Sequence, residues 1–67
     1  MKNTSLKIAR IKKNFTQKEL AKKINVSTKY ISVLECTNIL PSTPIMIKLS
    51  RILEEPMEVL FPQISEL

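Results

Sequence analysis

Histidine, glycine and tryptophan are missing from this chain, and cysteine occurs once. Without His, and with Cys36 as the lone thiol, neither a Cys/His zinc site nor an internal disulfide can be assembled. There is also no Gly-rich loop and no cluster of carboxylates, so no constellation of nucleophile and base emerges. The expectation is a non-enzyme with no metal and no cofactor. The lack of Gly, with only four Pro, also argues for helices joined by short connections rather than flexible linkers. Aromatics make up 4% of the chain, so Leu and Ile must fill any core. No apolar run approaches the ~20 residues of a membrane span, and no leader with a cleavage site is visible. A cytoplasmic location and no membrane partner are expected.

What is present fits one small domain, residues 1–67. The apolar fraction of 43% is compatible with a packed core, although a chain of this size buries only about 60% of its extended surface. The formal charge is +5, and it is unevenly placed. Lys2, Lys7, Arg10, Lys12, Lys13, Lys18, Lys22, Lys23 and Lys29 precede Leu34, against Glu19 alone. From Glu35 onward, Lys48 and Arg51 face Glu35, Glu54, Glu55, Glu58 and Glu66. A cationic first half suits phosphate binding, with the acidic end held away from it. A merely soluble Lys-rich surface is the plainer explanation.

The rest of the chain is organised around residues 15–35, FTQKELAKKINVSTKYISVLE. Thr16 followed by Glu19 makes a capping box, and Phe15 with Leu20 a hydrophobic staple, so a helix is predicted over 17–24. Leu20, Ala21 and Ile24 give it one apolar stripe, off which lie Lys18, Lys22 and Lys23. Ser27 is the N-cap of a second helix over 28–35, and Val26 can staple onto Ile31. Asn25 falls where a helix end takes the left-handed conformation, for which Asn is second to Gly. Two short helices joined by so tight a turn make a helix-turn-helix candidate. An ordinary helical hairpin of a small bundle has the same outline.

What separates the two is the face of the second helix left over after packing. Ile31 and Leu34 must point inward. Thr28, Lys29, Ser32, Val33 and Cys36 then form an outer stripe of compact side chains with one cation and no acid. A merely solvated helix more often mixes Glu with its Lys, whereas a helix entering the major groove needs side chains that let its backbone approach base edges.

These residues resemble the helix-turn-helix of the phage-repressor and Cro (XRE-like) family of DNA-binding transcriptional regulators. The likeness starts at LKIARIKKNFTQKELAKKINVS, continues through TKYISVLE and resumes at PSTPIMIKLSRILEEPMEVLF, roughly residues 6–61. It rests on the joint spacing of Arg10, Thr16-Gln17, Leu20-Ala21, Val26-Ser27, Ile31, Leu34-Glu35, Pro41-Ser42 and Leu60-Phe61. The implied fold is all-α, a compact five-helix lambda-repressor-like DNA-binding domain whose helices 2 and 3 form the helix-turn-helix.

The resemblance also assigns roles. In the family an Arg near the inner face of helix 1 pairs with a Glu at the end of the recognition helix, which here places Arg10 against Glu35. An unpaired charge on that face is costly. Gln17, at a helix start that attracts anions, is expected both to contact a DNA phosphate and to buttress the start of the recognition helix. Thr28 and Lys29 open the recognition helix as the leading base-contact candidates, Lys29 suited to guanine and Thr28 to a hydrogen bond or a thymine methyl. Val33 can touch only methyls, and Ser32 can act either way. Tyr30 can reach a phosphate or pack on helix 2. Thr37 and Asn38, in the loop running to Ser42, are further phosphate candidates. The family usually has Gly in that loop. This chain has none, and Asn38 is the expected left-handed substitute. Cys36 reads as an ordinary helix-end cysteine.

Elsewhere, Thr4 or Ser5 caps a first helix over 5–13, with Leu6 and Ala9 inward, Ile8 and the stem of Lys13 as further candidates, and Asn14 closing it. Thr43 caps a fourth helix over 44–53 with Pro44 at its first position, and Met46, Leu49, Ile52 and Leu53 make its inner stripe. A short fifth helix covers 57–61. The apolar surplus of Met57, Phe61 and Ile64 suggests a dimer interface, which would set two recognition helices ~34 Å apart on a pseudo-palindromic operator. Closing the bottom of a monomeric bundle is the other use for those residues. The expected function is a small regulator, first of all a repressor, that binds double-stranded DNA as a homodimer. The competing class is an antitoxin-like protein-interaction module that binds DNA secondarily, against which stands the little length left after residue 61.

Overall fold

The computed structural model describes residues 3–66. Five helices follow in order: α1 (Thr4–Lys12), α2 (Gln17–Ile24), α3 (Thr28–Cys36), α4 (Thr43–Leu53) and α5 (Met57–Leu60), with a 3-10 turn at Pro62–Glu66. No strand occurs among the described residues. The five-helix all-α expectation therefore holds, with ends moved by about a residue. Among the described residues no helix is long and apolar enough to cross a membrane.

Local chemistry accounts for most of the boundaries. The Thr16 hydroxyl accepts from the Glu19 N–H at 3.0 Å and the Glu19 carboxylate from the Thr16 N–H at 2.8 Å, completing the box at the start of α2. The Thr16 backbone N–H, and then its hydroxyl, hold the Glu19 carboxyl below its ordinary range. Ser27 caps α3 through the Tyr30 N–H at 3.1 Å. With Gly absent, the left-handed closures fall to Asn14 (φ 61°), Asn25 (φ 60°) and Glu54 (φ 56°). Behind the first two, the Phe15 N–H returns to the Arg10 carbonyl and the Val26 N–H to the Ala21 carbonyl, the six-to-one bond that satisfies a helix's last carbonyls. Glu54 is an unexpected occupant of that region. Ser50 compensates by donating to the Glu55 carbonyl at 2.7 Å, and Lys13 pairs with the Glu54 carboxylate at 2.8 Å.

Four local expectations are corrected. The cap of α1 is Asn3, not Thr4 or Ser5. Its Oδ1 accepts from the Leu6 N–H at 3.0 Å. Ser42, not Thr43, occupies the N-cap of α4, which leaves Pro44 in the second helical position, where its missing N–H is equally harmless. Asn38 is not left-handed. The end of α3 needs no such residue, because Thr37 leaves the helix in extended conformation and its hydroxyl donates back to the Val33 carbonyl at 2.7 Å. Ile8 does not face inward and is 52% exposed.

One core joins all five helices: Leu6 and Ala9 from α1, Leu20, Ala21 and Ile24 from α2, Ile31 and Leu34 from α3, Met46, Leu49 and Leu53 from α4, then Leu60 and Phe61. Phe61 is fully buried, which removes it from any interface. Met57 and Ile64 are half-buried against the same core. Phe61 thus closes the base of the bundle, because the four-residue α5 turns Leu60 and Phe61 under α1 and α4.

Asn3 is the tie that closes the bundle. Its Nδ2 donates to the Leu60 carbonyl at 2.8 Å, and its backbone N–H donates to the Glu35 carbonyl at 3.0 Å. One side chain thereby starts α1 and caps the end of α5, while its main chain caps α3. Asn3→Ala removes a helix cap and orphans a buried carbonyl. A loss of about 2 kcal/mol is expected, measurable as a lower urea midpoint with an unchanged slope. A loss under about 0.5 kcal/mol would show that water replaces both bonds.

Candidate nucleic-acid interface

The helix-turn-helix is α2, the turn Asn25–Val26–Ser27 and α3. Leu20, Ala21 and Ile24 pack against Ile31 and Leu34, all almost fully buried. Ala21 has no side-chain atom beyond Cβ to keep the two helices apart. Burial of Ile31, Leu34 and Glu35 fixes the rotation of α3 about its axis. Thr28 and Lys29 are consequently exposed, Ser32 and Val33 half-exposed, and Cys36 exposed. The outer stripe read from the sequence is therefore the free face of α3.

A buried polar network sets the far end of that helix. Arg10 Nε donates to Glu35 Oε2 at 2.6 Å and Arg10 Nη2 to Glu35 Oε1 at 3.3 Å. Arg10 Nη1 donates to the Phe15 carbonyl at 2.7 Å, and Gln17 Nε2 donates to Glu35 Oε1 at 3.1 Å. Both charged residues are buried. Four segments meet in this network: α1, the turn after it, the first residue of α2 and the last turn of α3. A bidentate Arg–carboxylate pair restricts direction as well as distance, so α3 is held rigidly against α1 and α2.

The other four residues expected at DNA are placed differently from one another. Gln17 is half-buried, with its amide nitrogen turned to Glu35. It lines a cavity of about 290 Å3 with Thr4, Lys7 and Cys36, and the Arg10–Glu35 pair borders the same space. Tyr30 is half-buried against the core. The Thr37 hydroxyl is committed to the Val33 carbonyl and also accepts from the Ile39 N–H at 3.4 Å. Asn38 is exposed, and its carbonyl accepts from Gln63 Nε2 at 3.4 Å. Lys7 and Thr4, beside Gln17, are not among the site residues expected from the sequence. Only the packing of α1 against α3 brings them there.

The electrostatics follow the same geometry. Lys7, Lys12, Lys18, Lys22, Lys23 and Lys29 are exposed on α1, α2 and α3, where Glu19 is the exposed acid. Glu35 is buried and neutralised by Arg10. Lys23 lies 5.2 Å from the centre of the Phe15 ring, a distance at which a cation and an aromatic face attract. The surface around α2 and α3 is therefore positive, and at its centre a helix of compact side chains stands free.

A family model described as helix-turn-helix matches residues 6–60. No match was found among curated proteins or among solved structures.

Proposed function

The chain belongs to the helix-turn-helix family of DNA-binding regulators, of the Cro and phage-repressor type, and on that premise we propose that it binds a specific duplex site as a dimer and represses by occupying it. The observation that carries this reading is the free face of α3, compact and without an acid, on a helix whose rotation is fixed by the Arg10–Glu35–Gln17 network. In the proposed complex, Thr28, Lys29, Ser32 and Val33 meet base edges. Lys29 donates to guanine O6 and N7, and Val33 touches thymine methyls. Gln17 contacts the phosphate backbone through the amide hydrogen-bonding capacity it does not spend on Glu35, and Lys7 adds a charge beside it. Asn38 contacts the backbone farther along. Thr37 and Tyr30 support α3 mechanically, since the hydroxyl of the one and the ring of the other are already engaged.

The test is selection from random duplex DNA at low and moderate salt. Recovery of a two-fold symmetric sequence that persists at the higher salt supports the reading, whereas binding that is sequence-blind and lost with salt refutes it. On the selected site, Lys29→Ala is expected to cost ~1–3 kcal/mol and to relax the preference at one base position. Gln17→Ala is expected to weaken all duplexes about equally. A base-selective loss from Gln17→Ala would show that the two roles are wrongly divided.

A further inference from the structure

The last turn of α3 ends in carbonyls that have no partner inside the helix. Two of them are satisfied from outside it. The Thr37 hydroxyl donates to the Val33 carbonyl at 2.7 Å, and the Asn3 backbone N–H donates to the Glu35 carbonyl at 3.0 Å. Asn3 is itself anchored, because its Nδ2 donates to the Leu60 carbonyl at 2.8 Å, where α5 ends. A second link follows farther along both segments. Gln63 Nε2, in the 3-10 turn, donates to the Asn38 carbonyl at 3.4 Å. Residues 60 and 63 at the base of the bundle thus reach residues 35 and 38 at the exit of α3, through Asn3 in one case and directly in the other.

From these two links we infer that the base of the bundle belongs to the DNA-reading apparatus, with Asn3 and Gln63 as positioning residues that hold the exit of α3 in register with a duplex. The inference rests on the duplex binding proposed above and adds residues that act on it through α3. Thr37 leaves the helix in extended conformation, and no left-handed residue closes this end. Asn38 is exposed and Ile39 is 53% exposed, so at these residues packing supplies little restraint. The course of the chain there depends on bonds brought from elsewhere. Asn38 is the proposed backbone contact beyond α3, and its own carbonyl is the group that Gln63 holds. Phosphate contacts set the register and orientation of a protein on its duplex, and base edges are read from that register. Breaking the links leaves every cation in place and blurs only the register. Sequence-blind attraction, which is a matter of charge, is then untouched, while discrimination between sequences falls.

The experiment compares duplex binding by three variants of the full chain, at a temperature where circular dichroism shows each to be folded. Gln63→Ala removes the second link, where the bond is solvent-exposed. Asn3→Ser keeps an oxygen that caps α1 but is too short to reach the Leu60 carbonyl. Ile52→Val, at a half-buried position on α4 that takes part in neither link, controls for stability alone. On the site selected from random DNA, Gln63→Ala is expected to bind about threefold and Asn3→Ser about tenfold more weakly, the scale of one or two lost hydrogen bonds. On duplex of random sequence both are expected to match the intact protein, with the same salt dependence. Partial unfolding, by contrast, lowers both affinities by one common factor. Ile52→Val is expected to change neither. Amide exchange of the free protein supplies a second readout: faster exchange at residues 37–39 in both linkage variants, with α2 unaffected. Variants that discriminate as well as the intact protein, losses equal on the two duplexes, or unchanged exchange at residues 37–39 would each overturn the inference. If the intact protein selects a site and the variants select it equally well, the positioning role fails and the regulator reading stands. An intact protein that prefers no sequence refutes the regulator reading, and the DNA role of the links with it, whatever the exchange shows.

Discussion

Glu35→Ala is expected to leave much of the protein unfolded at room temperature. The substitution strips the partner from Arg10 Nε and Nη2 and from Gln17 Nε2, all in a buried network. Removing one member of a buried ion pair typically costs 3–5 kcal/mol, because the other charge remains desolvated. A domain of 67 residues has, at roughly 0.05–0.15 kcal/mol per residue, about 3–10 kcal/mol in all. The loss is therefore comparable with the whole stability. The double variant Arg10→Met with Glu35→Leu fills similar volume without either charge and is expected to recover most of it. Urea unfolding followed by circular dichroism measures both. A loss below about 1 kcal/mol for Glu35→Ala would mean that water reaches the guanidinium, contrary to the burial of both residues. The network orients α3, so DNA binding should fail with the fold in the single variant. The double variant should fold yet bind DNA less tightly, since apolar side chains do not hold α3 and Gln17 in one direction as the bidentate pair does.

Phe61→Ala is expected to cost about 3–5 kcal/mol, the usual range for deleting a buried aromatic side chain. Phe61 is wholly enclosed with Leu6, Leu53 and Leu60 in the core, and little in so small a bundle can collapse into the space. The informative control is protein concentration. A core residue destabilises the protein equally at low and high concentration, whereas an interface residue would act through association and its effect would vary with dilution. Val59→Ala, at a position 46% exposed on α5, is expected to change monomer stability by less than about 0.5 kcal/mol. If Phe61→Ala were harmless in dilute solution, the base of the bundle would have to be open.

The residues legible in the sequence are those whose partners lie within one helical turn. The Thr16–Glu19 box, the Ser27 cap and the left-handed Asn14 and Asn25 involve neighbours three to five positions apart, and local chemistry suffices to place them. The same holds for the free face of α3, because Ile31 and Leu34 fix which side is inward. Contacts across the chain were less accessible. Arg10 and Glu35, 25 positions apart, are matched only through the family resemblance, and the same resemblance places the Gln17 buttress at the start of α3, whereas its amide meets Glu35 in the last turn. The Asn3–Leu60 bond spans 57 positions, and nothing in a lone Asn near the start of a chain announces such a partner. Its nearer role was open to reading, since Asn three residues before Leu6 is an N-cap pattern. Ser5 and Thr4 competed for it.

The helices, the caps of α2 and α3, the turn that makes those two a unit, and the positive first half are all readable from the residues alone. Each of these follows from backbone groups and charges that act over a few residues or simply add. Which surplus apolar groups close the base and which stay outside depends on packing between helices distant in the chain. Helical periodicity has too few residues in α5 to tell Phe61 from Val59, and both are equally hydrophobic neighbours on paper. Packing against α1 and α4 buries the one and leaves the other beside Ile8, between a basic helix and an acidic one.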